Sequence, residues 1–77
     1  MRIDFTIMGN VCAKYRKNAN MTQEEVAEQI GVSRSMICLF EGGYVKKMEI
    51  PVWYIMTFQI PESEITGWWN NGAVEED

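Results

Sequence analysis

The sequence predicts an all-α fold, a compact bundle of about five short helices. Three observations carry this. Apolar residues recur at intervals of three and four, the spacing of one face of a helix. Helix-starting and helix-stopping residues divide the chain into short segments. At 77 residues and 47% hydrophobic content, the chain has room for one small core. A domain of this size often gains stability by dimerising.

The first helix is expected over about 5–18, where Ile7, Met8, Val11, Cys12 and Tyr15 form one apolar stripe. Asn18-Ala19-Asn20 breaks it. Thr22 then suits an N-cap, and Glu25 three residues later completes a capping box. The second helix follows with Val26, Ala27 and Ile30 on one face, and Gly31 ends it through a positive φ. Ser33 caps a third helix that runs to Glu41, where Gly42-Gly43 stops it.

Residues 44–50 read as a loop carrying Lys46 and Lys47. Pro51 fits the first turn of a fourth helix with Val52, Ile55, Met56 and Phe58 as its apolar face. The β-branched and aromatic residues of 52–60 allow a strand as the competing assignment. Helix is favoured because the preceding pattern is helical. Pro61 opens a last short helix bearing Ile65, Trp68 and Trp69. The domain is placed at 1–72, and 73–77 is read as an acidic, disordered C-terminal tail.

Charge is unevenly spread. Residues 1–47 hold seven bases against five acids, a net of +2, whereas 48–77 hold six acids and no base. A modest nucleic-acid footprint fits the front, while the net charge of -4 argues against strong non-specific binding. With no histidine and no CxxC pair, Cys12 and Cys38 suggest neither a metal site nor a disulfide framework, and no cofactor is expected. No serine has a basic partner in sequence reach, and no Gly-rich loop follows a strand, so an enzyme is not expected. No segment approaches the roughly 20 apolar residues of a membrane span. Residues 1–8 lack a basic-then-apolar layout, so a cytoplasmic location is expected.

The second and third helices form a recognisable pair. Ala27 is the small residue at their crossing, Gly31 the turn, and Val26, Ile30, Val32, Ile37 and Phe40 the inner contacts. This leaves Ser33, Arg34, Ser35, Cys38 and Leu39 on the outer side of the third helix. Such a helix-turn-helix can lay its second helix in a major groove.

The run TQEEVAEQIGVSRSMI, the EGG helix end and the lysines after it resemble the Cro/repressor-type (XRE-like) helix-turn-helix family. The resemblance implies a lambda-repressor-like DNA-binding domain, a double-stranded DNA operator as partner and a homodimer. It also suggests a phage or mobile-element origin. By position, it implies that Ser33, Arg34, Ser35 and Leu39 of the third helix, 33–41, contact bases. Arg34 leads for specificity, because arginine can bond guanine O6 and N7 with two donors. Gln23, Lys46 and Lys47 match phosphate-contacting positions. Arg16 and Glu41 match a structural ion pair.

Leu39 and Cys38 stand where the family mostly has polar or basic residues. Leu39 can meet a thymine methyl or a protein. A protein-binding module on the same fold, such as an antirepressor, an antitoxin-like partner or an accessory factor, is therefore the alternative. A basic ring around the third helix favours DNA, and an apolar patch continuous with Leu39 favours protein. Trp68 and Trp69 are the expected dimer surface, one in the core and the other partly exposed. Trp53 and Tyr54 raise the same question on the fourth helix.

Overall fold

The computed structural model describes residues 2–70. Five helices are present among them: α1 (Phe5–Asn18), α2 (Gln23–Ile30), α3 (Arg34–Glu41), α4 (Glu49–Phe58) and α5 (Glu62–Thr66). Two short strands, β1 (Arg2–Ile3) and β2 (Trp69–Asn70), pair antiparallel and close the two ends of the bundle together. The chain is thus the all-α bundle expected, with this ladder added. The expected domain boundary at 72 and the acidic tail 73–77 lie outside the described residues.

Local signals set the helix ends. The amides of Thr6 and Ile7 donate to Asp4 Oδ1 at 3.0 and 3.1 Å and start α1. At α2 the capping box is complete. Glu25 N donates to Thr22 Oγ1 at 3.0 Å, and Thr22 N donates back to Glu25 Oε1 at 2.8 Å. Gly31 takes the left-handed conformation with φ 91° and turns the chain into α3. There Met36 N donates to Ser33 Oγ at 3.1 Å.

Each of α1–α4 contributes two apolar residues to the centre of the core: Met8 and Cys12, Val26 and Ala27, Ile37 and Phe40, Ile50 and Tyr54. Ile60 and Trp68 complete it. Helix α1 comes unusually close to the end of α3. A Cβ built on Gly9 would lie 2.6 Å from both the Phe40 and Glu41 carbonyl oxygens, so only glycine allows this approach.

Four expectations need correction. The fourth element is a helix, as favoured over a strand, but it starts at Glu49 rather than Pro51, which brings Ile50 into the core. Its inner face is Ile50, Pro51 and Tyr54; Ile55 and Phe58 are half-buried, and Val52 and Met56 stay 45% and 74% exposed. The physical reason is rotation. The hydroxyl of Tyr54 donates to buried Glu41, which turns that side of α4 inward. Ile7 lies at the rim, 40% exposed, rather than in the α1 stripe. Trp68 and Trp69 are not on a helix, because α5 ends at Thr66 and Trp69 pairs with Ile3.

Candidate nucleic-acid interface

Helices α2 and α3 pack through Val26, Ala27, Ile37 and Phe40, all buried. That packing fixes which side of α3 faces outward. Ser33, Arg34, Ser35, Cys38 and Leu39 are all exposed there, with Leu39 49% exposed. Arg34 has no acidic partner within ion-pair distance among the described residues, so its guanidinium is available.

Arg34 and Gln23 line one shallow depression of about 400 Å³, together with Arg16, Met21, Thr22 and Glu24. The structure therefore brings the leading base-contact residue beside one expected phosphate-contact residue. The first turn of α2 borders the same place, with Thr22, Gln23 and Glu24 on its rim. The lysines stand apart. Lys46 Nζ lies 5.2 Å from the centroid of the Phe5 ring, and Lys47 Nζ lies 4.0 Å from Glu49 Oε2. Both lysines are exposed, though each has a local partner.

Behind this surface lies a buried polar cluster. Arg16 Nε donates to Glu41 Oε2 at 2.7 Å, and Arg16 Nη2 donates to Glu41 Oε1 at 2.9 Å. A third Arg16 nitrogen, Nη1, donates to the Met21 carbonyl at 2.8 Å, holding the segment that leads into α2. Gln23 Nε2 donates to Glu41 Oε1 at 3.0 Å, and the Tyr54 hydroxyl donates to Glu41 Oε2 at 2.7 Å.

Burial pushes the Glu41 carboxyl up, but the bonds from Arg16, Tyr54 and Gln23 outweigh it and hold the group below the usual carboxylate range. The bond to Glu41 raises Arg16, against a smaller lowering by burial. Burial first, and the bond to Glu41 second, raise the Tyr54 hydroxyl. Nearby Cys12 is pushed up to about 12, mainly by burial and then by the Glu41 charge. Cys38, by contrast, is an exposed free thiol on α3.

The part played by Tyr54 is not directly legible in the sequence, which raises the question of an interface there; the residue is fully buried. The available signal was a tyrosine in an apolar helix, whose hydroxyl needs a partner when buried. At the other end of the bundle, Trp68 is buried at 3% exposure and Trp69 is 38% exposed. No helix among the described residues is long and apolar enough to cross a membrane.

Comparison with known proteins agrees with this geometry. Residues 13–37, from the middle of α1 through the first half of α3, match the family model described as helix-turn-helix. No curated protein and no solved structure matches the chain.

Proposed function

We propose that this chain, whose residues 13–37 form a Cro/repressor-type (XRE-like) helix-turn-helix, is a sequence-specific transcriptional regulator that sets α3 into the major groove of an operator. The helix-turn-helix makes it a DNA-binding protein of the regulator kind. What carries the finer reading is the exposed start of α3. Ser33, Arg34 and Ser35 are exposed, and Arg34 has no acidic partner among the described residues and lines one depression with Gln23. Arg34 reads guanine, Ser33 and Ser35 contact neighbouring base edges, and Leu39 meets a thymine methyl. Gln23, Lys46 and Lys47 hold phosphates, and so fix register rather than sequence.

The cationic surface is thin, so one protomer neutralises only three or four phosphates. That gives a salt slope of about -2.7 to -3.6 per protomer. We read the working form as a cytoplasmic homodimer on two half-sites about one helical turn apart. Trp69 and the exposed side of α4 are the apolar surfaces open to such a contact. The exposure of Leu39 and Cys38 supports the second reading, a protein-binding module, in which these two residues meet a protein instead of bases.

Fluorescence anisotropy on a labelled duplex between about 50 and 200 mM salt tests the proposal. A monomer making three or four phosphate contacts should lose roughly 40- to 150-fold in affinity, and a dimer about 2,000-fold or more. Salt-independent affinity, or none at the lower salt, favours the protein-binding reading.

A further inference from the structure

Glu41 is a junction of four helices. Its Oε2 accepts from Arg16 Nε of α1 and the Tyr54 hydroxyl of α4, both at 2.7 Å. Its Oε1 accepts from Arg16 Nη2 at 2.9 Å and from Gln23 Nε2 of α2 at 3.0 Å. A carboxylate offers about four lone-pair sites, so this one is saturated and cannot turn without breaking a bond.

Tyr54 does not need its hydroxyl for packing. Its ring centroid lies 5.4 Å from Phe40, 5.6 Å from Trp53 and 5.8 Å from Phe58, contacts that a phenylalanine would keep. A buried hydroxyl is costly unless bonded, and here its bond goes to Glu41. The consequence appears two helices away. Gln23 Nε2 carries two hydrogens. One is given to Glu41, which leaves the other, with the amide oxygen, for the depression shared with Arg34.

We propose that Tyr54 is a positioning residue for nucleic-acid binding: by fixing the Glu41 carboxylate, it holds the Gln23 amide aimed at a backbone phosphate. This rests on the DNA-binding reading given above. Gln23 is the first residue of α2 and has a flexible side chain, so an unanchored amide would sample several rotamers and lose them on binding. With the Tyr54 bond gone, Arg16 still grips both oxygens, but Oε2 loses one of its two donors, and the carboxylate is held less tightly in its place opposite Gln23.

The test is a double-mutant cycle with Tyr54→Phe and Gln23→Ala on a bound duplex, at a temperature where circular dichroism shows every variant folded. Each single variant should weaken binding by roughly 3- to 10-fold, the loss of one hydrogen bond. The double variant should bind no worse than Gln23→Ala alone. The salt slope should stay unchanged, because no charge is lost. In the free protein, the Gln23 side-chain amide resonances should move in Tyr54→Phe while those of Gln29 and Gln59 stay. The proposal is overturned if Tyr54→Phe binds like wild type, or if it weakens binding by the same factor in the Gln23→Ala background. If wild type binds no duplex at any salt, the DNA-binding reading fails first and the positioning role falls with it, before any variant is compared.

Discussion

Arg16→Met removes three donors at once: two to Glu41 and one to the Met21 carbonyl. The methionine fills much of the space but leaves a buried carboxylate without its cation. Breaking a buried pair by removing one partner costs about 3–5 kcal/mol. Tyr54 and Gln23 still donate to Glu41, so the lower end, about 3 kcal/mol, is expected. Against a total of about 4–12 kcal/mol for a chain this long, that is a large fraction.

The loss also depends on pH. In the wild type, Glu41 is held low, so it contributes stability above the ordinary unfolded value and loses it as pH falls through the folded value. In Arg16→Met, burial faces only two neutral donors, and the Glu41 value rises. The variant then takes up a proton on mild acidification and sheds the cost of the stranded charge. The gap between the two proteins should therefore narrow between pH 7 and about 4. Urea unfolding followed by tryptophan fluorescence at several pH values measures it, with an unchanged slope showing that the unfolded state is the same. A second substitution, Glu41→Gln, should restore part of the stability at pH 7. A loss under about 1 kcal/mol at pH 7, or a gap that does not change with pH, would refute the burial argument.

Three further outcomes follow from the packing. Gly9→Ala should destabilise by about 1–3 kcal/mol, although helix propensity alone favours alanine, because the new Cβ would meet backbone oxygens of Phe40 and Glu41 at 2.6 Å; a thermal melt that rises instead contradicts the close approach of α1 and α3. Gly31→Ala meets no atom within 4 Å, so its cost is the left-handed backbone alone, about 1–2 kcal/mol, read by the same melt. A thiol reagent at pH 8 should label Cys38 quickly and Cys12 only at the rate of unfolding, since Cys38 is exposed and Cys12 is fully buried; labelling of both at one rate in mass spectrometry counts against the core described.

The readable parts of this fold are those encoded locally. Thr22 and Glu25 lie three residues apart, and their capping box forms as the sequence predicts. Gly31 takes the positive φ expected of it, and Ser33 caps α3. The outer side of α3 follows in part, because once Ile37 and Phe40 turn inward, Cys38 and Leu39 must face out, whereas Arg34 lies on the flank of Glu41 and is exposed at the first position of the helix. What could not be read depends on partners distant in the chain. Helix α4 is apolar on nearly every side, so periodicity cannot say which side is inner. A tyrosine bond to Glu41, 13 residues back, decides it. Trp68 and Trp69 continue a helical pattern on paper, but Ile3 at the other end of the chain pairs with Trp69 and makes that segment extended. Gln23 reads as a surface contact from the sequence, because its inward bond to Glu41, 18 residues away, has no local signature.

We propose that α3 reads DNA sequence through Arg34. Selection from randomised duplex DNA at low and moderate salt, run in parallel on wild type and Arg34→Ala, tests it most directly. The expected result is a two-fold motif containing G·C pairs for wild type, with those pairs relaxed in the variant by about 1–3 kcal/mol of discrimination. No enrichment at low salt and high protein concentration, or the same motif at the same strength from Arg34→Ala, would contradict it.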